Sequence, residues 1–479
     1  MSPQPAAAVE AKQAEPEHAA GRRLLPRLAM LDRPLTSYHL IIGTTGLLLA
    51  LGLVMVLSTS SASQLSNGGS PYSVFAKQLA GAIVGLPMIW VLSRMPPRLL
   101  RTIAKPVFVV AICGLVLVFF FGKSTNGAER WITVAGIEVQ PSEFAKLALL
   151  IWGADLLARK DELKQLNDWR ALLVPLLPGS ALMAMLVMLG DDLGTTFVLL
   201  VILMTLLWTI GTPGRLLVCL LGLIVFALLV LIVAKSYRSA RLTGFLNQSG
   251  PIDGNPVGPN MQPIQGKWAI GSGGLFGVGL GESKLKWGWL PNASSDFIFA
   301  ILGEELGLVG TSIVVFLYGG LAYAGLRVAR RMTTPFMRLA AAGITVWIVV
   351  QALVNICAVI GLVPITGVPL PLISQGLSSL LVTMAAIGVL LSLARREPGA
   401  REALEAAGPG WPARLVRSRR SSPRRSPASA PPPSKVRRIS GQVPTMPPAR
   451  PASPRLTERA DGRSRPSAAQ RWPKGGDPL

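Results

Sequence analysis

The chain has 479 residues, half of them hydrophobic, and 47 lysines and arginines against 24 acidic residues give a formal net charge of +23. This composition is typical of a membrane protein, and much of the positive charge follows Arg395, as expected for a membrane-facing tail rather than a nucleic-acid-binding surface. With two histidines, and three cysteines that each lie in an apolar run, the composition argues against histidine-based catalysis, a His-rich zinc site and a disulfide framework.

Residues 1–35 are rich in Ala, Pro and Glu and end in a basic stretch. They contain no apolar core followed by a small-residue cleavage site, so they are not read as a signal peptide. The pattern predicts a disordered cytoplasmic leader.

From Leu40 onward, apolar runs of about 18 to 22 residues recur, each long enough to cross a bilayer. They predict an all-α polytopic membrane domain over residues 36–396 with about ten transmembrane helices. We place these helices near 40–58, 74–93, 105–122, 139–158, 172–189, 193–210, 214–234, 298–326, 338–361 and 373–394.

Alternate loops between these runs are rich in lysine and arginine, and the others are nearly free of them. Because basic loops stay cytoplasmic, both termini are predicted inside, and a large extracellular loop, 235–297, joins helices 7 and 8. A cysteine placed at Ser283 should therefore be labelled from outside. The basic loops contain Arg94, Arg98, Arg101, Arg159, Lys160, Lys164, Arg170, Arg215, Arg327, Arg330, Arg331 and Arg338.

Residues 397–479 are rich in Pro, Arg and Ser. Such a segment cannot bury enough apolar surface to offset the entropy of ordering. We expect a disordered basic cytoplasmic tail that is dispensable for intrinsic activity.

Two glycine-containing stretches resemble nucleotide-binding motifs but do not match them. Gly122-Lys123-Ser124 has the end of a P-loop, yet the earlier glycine of that motif is replaced by Leu117 and no strand precedes it. The glycine-rich run 271–281 does not give GxGxxG in register. It is expected to pass close to neighbouring helices or a ligand.

The stretch 123–149 combines a turn, Asn126-Gly127, with Arg130 beside a tryptophan and a helix start at Gln140-Pro141-Ser142-Glu143. Proline and an acidic residue suit the first turn of a helix. Interfacial anchoring and capping explain each of these residues alone, whereas their clustering favours a functional face.

Asp191 and Asp192 stand between two predicted helices. A capping pair is the ordinary reading. At the outer mouth of a polytopic protein, one of them could instead bind a hydroxyl group or a metal.

Asp296 follows a capping cluster, 292–295, and precedes Phe297, Ile298 and Phe299. An aspartate in a first turn is ordinary, but an apolar environment raises the pKa of a carboxyl group toward values suited to a base. On a continuous helix, Glu304 would lie roughly 12 Å deeper and Glu305 on the opposite face.

We expect Glu304 and Glu305 to serve structure or function inside the membrane, where carboxylates are costly. Gly303 and Gly307 on the same predicted helix should permit close helix packing.

Several ordered motifs between Leu40 and Arg396 resemble one known family. They are VMVLSTSS, NGAERWI, QPSEFAKLAL, DLGT at 192–195, QPIQGKWAIGSGGLFGVGLG, LPNASSDFIFAILGEELGLVG and PITGVPLPLISQGLSSLL. On these residues the chain resembles the SEDS family of polytopic peptidoglycan glycosyltransferases. The basic tail and the residues at 394–398 favour its division branch, of an actinobacterial type, over its elongation branch.

The resemblance implies polymerisation of lipid II into glycan strands at the outer face of the plasma membrane, at the division septum. It implies that Asp296 is the essential carboxylate. Expected substrate-binding residues are Lys123, Asn126, Arg130, Asp192, Gln265, Lys267 and Ser374.

Transfer needs a base at the attacking hydroxyl and positive charge on the leaving pyrophosphate. Arg130 is the favoured source of that charge. The other candidates are Lys123, Lys267, Lys284, Lys286 or a divalent cation, Mg²⁺ or Mn²⁺, whose ligands the sequence does not identify. Expected partners are a class B penicillin-binding protein with transpeptidase activity and other division proteins, with no nucleic acid.

Other hypotheses stay open at this point. A lipid II flippase needs a path through the bilayer, for which Glu304 and Glu305 are the best support. A polymerase of the elongation branch shares the same chemistry. A scaffold that recruits division proteins through its tails predicts that the outer carboxylates are dispensable.

Overall fold

In the computed structural model the described residues are 35–66, 68–125, 128–134, 137–164, 173–233, 242, 245 and 261–400. This part of the chain contains eleven helices and three short strands. In chain order they are α1 Thr36–Ser66, α2 Ser73–Leu92, α3 Pro97–Phe121, β1 Lys123–Thr125, β2 Ala128–Val134, β3 Ile137–Val139, α4 Pro141–Glu162, α5 Leu176–Leu189, α6 Leu193–Ile210, α7 Gly214–Val233, α8 Met261–Gly273, α9 Ile298–Arg331, α10 Pro335–Val359 and α11 Leu377–Ala394.

Each of the ten predicted spans overlaps one of these helices. Eight of the described helices are long and apolar enough to cross a membrane, namely α1, α2, α3, α6, α7, α9, α10 and α11. The other two predicted spans correspond to α4 and α5. Helix α4 carries Glu143, Lys146 and Asp155 among its buried residues, and α5 has 14 residues. The protein is therefore a multi-pass membrane protein.

The interior of the bundle is formed mainly by α4, α9, α10 and α11, which contribute most of its buried residues. Helices α1 and α8 pack against α9, and α2 packs against α11. The α2–α11 contact depends on glycine, because a Cβ at Gly85 would lie 2.2 Å from the Met384 sulfur. Helix α7 lies apart, with Leu217 as its buried residue.

A small antiparallel sheet in the order β1-β2-β3 joins α3 to α4, which the all-α prediction did not include. Ile132 pairs with Val139, and Val134 pairs with Ile137. Strand β2 contacts α3 and α4, and β3 contacts α11. The sheet therefore lies across one end of the bundle, close to the start of α4.

The predicted extracellular loop 235–297 contains a helix, α8, and the turns that follow it. Most of its first half, the predicted leader up to residue 34 and the predicted tail from residue 401 lie outside the described residues. Those predictions remain predictions. Packing continues past Arg396, because Glu397 and Ala400 are both buried.

Candidate active site

Asp296 lies in a turn that precedes α9, which begins at Ile298. Asn292 adopts a positive φ of 57°, a conformation that asparagine tolerates, and its carbonyl accepts hydrogen bonds from the backbone N–H groups of Ser295 and Phe297. The ring of Phe297 is buried, and a Cβ at Gly266 of α8 would lie 3.1 Å from it. Asp296 is thus half-buried between an anchored aromatic residue and the capping turn.

Three consecutive carbonyls of this turn are held by groups from elsewhere in the fold. The Gln375 N–H donates to the carbonyl of Ser294 (2.9 Å), and the Ser374 hydroxyl donates to that of Ser295 (2.5 Å). The side-chain amide of Asn355 on α10 donates to the carbonyl of Asp296 (2.8 Å). The backbone that carries the Asp296 carboxylate therefore has a defined position.

The segment 360–376, between α10 and α11, backs the Asp296 turn. At Gly367, where φ is 71°, a Cβ would lie 3.7 Å from the Asp296 Oδ2 atom. Asn355 also donates to the carbonyl of Val368 (2.8 Å), and the Leu370 N–H donates to the Ser374 hydroxyl (2.8 Å). Asn355 and Ser374 thus bind both the backing segment and the turn, so the structure gives Ser374 a positioning contact.

Asp192 caps α6, as one of the two sequence readings predicted. Its carboxylate accepts hydrogen bonds from the Thr195 N–H (3.0 Å) and hydroxyl (2.8 Å), the Gln140 amide (3.1 Å) and the Ser142 hydroxyl (3.2 Å). It is buried. Both carboxylate oxygens accept hydrogen bonds from protein groups, and the structure thus gives Asp192 a capping role. Its substrate contact stays a prediction.

Arg130 on β2 reaches the turn between α5 and α6. Its guanidinium donates to the carbonyl of Gly190 (3.1 Å) and to the carbonyl of Asp191. Asp191 itself has a positive φ of 61°. Arg130 therefore ties the sheet to the Asp192 cap. The side chain of Lys123 and the whole of Asn126 lie outside the described residues.

Helix α8 carries the predicted substrate-binding residues Gln265 and Lys267. Gln265 is buried, and its side-chain oxygen has no hydrogen-bond partner among the residues that the structure describes. The side chain of Lys267 lies against Gly361, where a Cβ would be 2.2 Å from the lysine Cε. Because Gly266 packs against Phe297, α8 flanks the Asp296 turn and places Lys267 beside the backing segment.

A buried ion pair between Glu143 and Lys146 is connected to the backing segment through Gln351. The Lys146 ammonium lies 2.8 Å from the Glu143 carboxylate and donates to the Gln351 side-chain oxygen (3.0 Å). Gln351 in turn donates to the carbonyl of Pro369 (2.9 Å). Glu143, predicted to favour a helix start, is thus also half of a charge pair whose side chains are 1% exposed.

The two carboxylates of α9 both bind the loop that precedes the Asp296 turn. Glu304 accepts from the Ser283 hydroxyl (2.5 Å) and the Lys284 N–H (3.1 Å). Glu305 pairs with the Lys286 ammonium (3.0 Å) and accepts from the Ser58 hydroxyl of α1 (2.6 Å). Both hold the loop 283–286, which gives each of them a structural role.

Lys286 is buried within that pair, which removes it from the candidates for a pyrophosphate contact. Gly307 is also not a helix-packing residue, because its φ of 66° and ψ of −163° interrupt α9. Gly303 does pack closely, since a Cβ there would lie 3.0 Å from Ile270 of α8. The expected close packing between helices is therefore found at Gly303 and not at Gly307.

Sequence reasoning missed Lys146, Gln351 and Asn355. The spacing of Glu143 and Lys146, three residues apart on a helix, is the one signal that could have indicated an ion pair. Among the described residues, no group of three His, Cys, Asp or Glu side chains could hold a metal ion.

The comparisons with known proteins agree on one family. A family model described as "Cell cycle protein" (FTSW_RODA_SPOVE) matches residues 38–398. A Mycobacterium tuberculosis protein named "Probable peptidoglycan glycosyltransferase FtsW" is 42% identical over 416 residues, covering 85% of this chain and 78% of its own. Stage V sporulation protein E of Bacillus subtilis is 36% identical over 359 residues, covering 74% and 96%.

Solved structures show the same fold. The Thermus thermophilus rod shape determining protein RodA matches with a TM-score of 0.53 and 26% identity, covering 74% of this chain and 96% of that one. A second structure, described as "Structural coordination of polymerization and crosslinking by a peptidoglycan synthase complex", matches with a TM-score of 0.58, 26% identity and the same coverage.

Proposed function

The chain belongs to the FtsW/RodA/SpoVE family of cell cycle proteins, and from this we propose that it is a peptidoglycan glycosyltransferase of the FtsW type. It polymerises lipid II into glycan strands during cell division. The resemblance of its motifs to SEDS glycosyltransferases supports the same reaction. The assignment of the site rests on the Asp296 turn. Three of its carbonyls are hydrogen-bonded to α10 and to the segment before α11.

In the proposed reaction, the 4-hydroxyl of the acceptor sugar attacks the anomeric carbon of the lipid-linked donor. A glycosidic bond forms, the bond from the anomeric carbon to the pyrophosphate oxygen breaks, and lipid pyrophosphate leaves. Asp296 takes the proton from the attacking hydroxyl, as a positioned general base does. The hydrogen bonds to the backbone around Asp296 hold its carboxylate in place. A base held in a fixed position relative to the attacking hydroxyl accelerates the reaction.

The leaving pyrophosphate needs positive charge at the moment of bond breaking. Lys267 lies beside the backing segment, and Arg130 binds the carbonyls of Gly190 and Asp191, next to the Asp192 cap. Lys123, Asn126 and Gln265 complete the proposed substrate-binding set. Ser374 and Asp192 support that set by holding backbone, since their polar atoms are bound to protein groups.

A divalent cation is a second source of positive charge. Mg²⁺ usually keeps several waters and binds through one or two carboxylates together with substrate phosphates. The half-buried carboxylate of Asp296 is compatible with that mode. When bound, the cation would neutralise charge on the pyrophosphate. Loss of polymerisation on chelation, restored by Mg²⁺ or Mn²⁺, tests this.

We further propose that the protein works at the division septum with a class B penicillin-binding protein and other division proteins, with both termini in the cytoplasm. The structural relative that combines polymerization and crosslinking supports a transpeptidase partner. The asymmetry of basic residues between loops supports the orientation.

The deciding experiment is polymerisation of lipid II by the purified protein in detergent, with and without a penicillin-binding partner. Glycan strands formed from these components require an enzyme, because no second leaflet is present to receive a flipped lipid. A flippase or a scaffold gives no polymer. Glu304 and Glu305 were the best support for a flippase. In the structure both bind a loop, which argues against their lining a path through the bilayer.

A further inference from the structure

Helix α9 is broken at Gly307, and a glycine-rich loop fills the break. We call residues 274–281 the glycine loop; it has positive φ angles at Gly274, Gly277, Gly279 and Gly281. Its N–H groups at Val278 and Gly279 donate to the carbonyls of Glu304 and Glu305 (2.9 and 3.1 Å). These are carbonyls that the interruption of the helix leaves without an intrahelical partner.

The backbone N–H groups that follow the break also form hydrogen bonds with the glycine loop. The N–H groups of Leu308 and Val309 donate to the carbonyls of Gly274 and Leu275 (3.0 and 3.1 Å). At Gly307 a Cβ would lie 2.4 Å from the Gly277 nitrogen, so the two backbones are in direct contact. The glycine loop therefore replaces part of the hydrogen bonding of α9.

The end of the glycine loop is held by charged side chains. The Lys286 ammonium donates to the carbonyl of Gly281 (2.6 Å) while it pairs with Glu305. The Glu304 carboxylate accepts from Ser283, which is buried. The loop is thus attached along its length, and the direction of its outward-facing side chains is set by the backbone.

Those outward-facing side chains are apolar. Leu275, Phe276, Val278 and Leu280 are between 47% and 82% exposed. They continue the exposed apolar surface of α9 at Leu308 and Val309, because the loop and these residues share hydrogen bonds. A rigid apolar surface of this kind marks an interaction site.

The length of α9 places this surface relative to the bilayer. From the break to Arg331 the helix has about 24 residues, or ~36 Å, which is enough to cross a hydrocarbon core of ~30 Å. Arg330 and Arg331 lie in its last turn. The residues that follow the break, Leu308 and Val309, then lie at the opposite boundary of the hydrocarbon core.

We propose that the glycine loop inserts Leu275, Phe276, Val278 and Leu280 into the lipid bilayer at the end of the bundle that carries Asp296. The occupant of this surface is lipid, because the surface is continuous with the lipid-facing side of a membrane-spanning helix. Trp287 and Trp289, both exposed, suit the interface beside it. Insertion holds the Asp296 turn, which precedes the first part of α9, at one depth relative to lipid headgroups.

Spin labelling of the full chain in liposomes tests the proposal without lipid II, so its outcome is independent of the proposed reaction. Cys113, Cys219 and Cys357 are replaced by serine, and a single nitroxide is placed at Phe276. Matched labels at Glu282, an exposed polar position just beyond the glycine loop, and at Phe316, an exposed position on α9, give the aqueous and lipid references.

We expect the label at Phe276 to be accessible to oxygen and protected from a water-soluble nickel chelate, as at Phe316, and the label at Glu282 to show the reverse. Equal nickel accessibility at 276 and 282 would overturn the proposal. Protection of the 276 label from both reagents would also overturn it, because a protein surface then covers the loop. If the variant at 276 does not elute as a folded protein, the label moves to Leu280, with the same criteria.

Discussion

The side-chain amide of Asn355 lies 2.8 Å from the carbonyl oxygen of Asp296 and 2.8 Å from that of Val368. One buried residue on α10 therefore joins the turn that carries the carboxylate to the segment that backs it. A hydrocarbon side chain at this position could not donate to either carbonyl.

Replacing Asn355 by leucine keeps the branched shape and the number of side-chain heavy atoms and removes both donors. We expect destabilisation of about 1–3 kcal/mol per carbonyl left unsatisfied and a loss of polymerisation of roughly 10- to 100-fold through misplacement of Asp296. Thermal unfolding and the lipid II assay measure these effects. Leu353→Ala, at an exposed position on the same helix, is the control. Wild-type activity in Asn355→Leu would show that the turn needs no such positioning.

Asp296→Asn tests the base directly. Asparagine has nearly the same shape, but it cannot accept a proton at neutral pH. We expect the variant to insert and fold normally and to lose polymerisation by at least about 100-fold. Glu282→Gln, at an exposed carboxylate in the preceding loop, should be near wild type. A near wild-type rate for Asp296→Asn would remove the catalytic assignment and favour the flippase or scaffold reading.

The Glu143–Lys146 pair should behave as a buried charge pair. Lys146→Met leaves the Glu143 carboxylate buried without its cation, and we expect a loss of about 3–5 kcal/mol in stability. Combining it with Glu143→Gln removes the uncompensated charge and should recover most of that loss. A double variant as unstable as the single one in thermal unfolding would contradict this account.

Gly307→Ala should destabilise α9. The backbone there lies in a region that glycine alone adopts readily, which costs other residues about 1–3 kcal/mol, and the added Cβ would meet Gly277 and Leu275. Gly319→Ala is the matched control, because no described atom outside its own helical turn lies within 4 Å of a Cβ there. We expect Gly319→Ala to be neutral or stabilising by about 0.5–1 kcal/mol. Equal melting temperatures for Gly307→Ala and Gly319→Ala would contradict a helix interrupted at residue 307.

The membrane orientation can be tested by cysteine labelling of intact cells. Ser283 is unsuitable, because it is buried against Glu304, although the sequence suggested an exposed loop position. In a background without the three native cysteines, Glu282→Cys should react from outside and Arg330→Cys should not; both residues are exposed. The reverse pattern would place the Asp296 end in the cytoplasm.

Helix positions were predictable because hydropathy alone determines which stretches can lie in a bilayer. The start of α4 at Pro141 and the capping of α6 by Asp192 were also predictable, since both follow from local hydrogen bonding. Asp296 could be singled out as a carboxylate beside an apolar helix. Its neighbours could not, because contacts such as Asn355 to Asp296 join residues 59 positions apart.

The break in α9 was not predictable for a similar reason. The predicted span, 298–326, reads as one uninterrupted helix, and the groups that bind the freed backbone at the break come from residues 274–279. The three-stranded sheet was missed because strands of three to seven residues give little periodic signal.

The break at Gly307 has a consequence for biogenesis. As a continuous helix, the 34 residues of α9 would be ~51 Å long, well beyond a hydrocarbon core of ~30 Å. The glycine loop precedes α9 in the chain, so it is synthesised before the helix it interrupts. The docked loop divides that length into a spanning part and a part that stays with the Asp296 turn. A loop that is already synthesised when α9 enters the membrane is thus available to set the length of the transmembrane span.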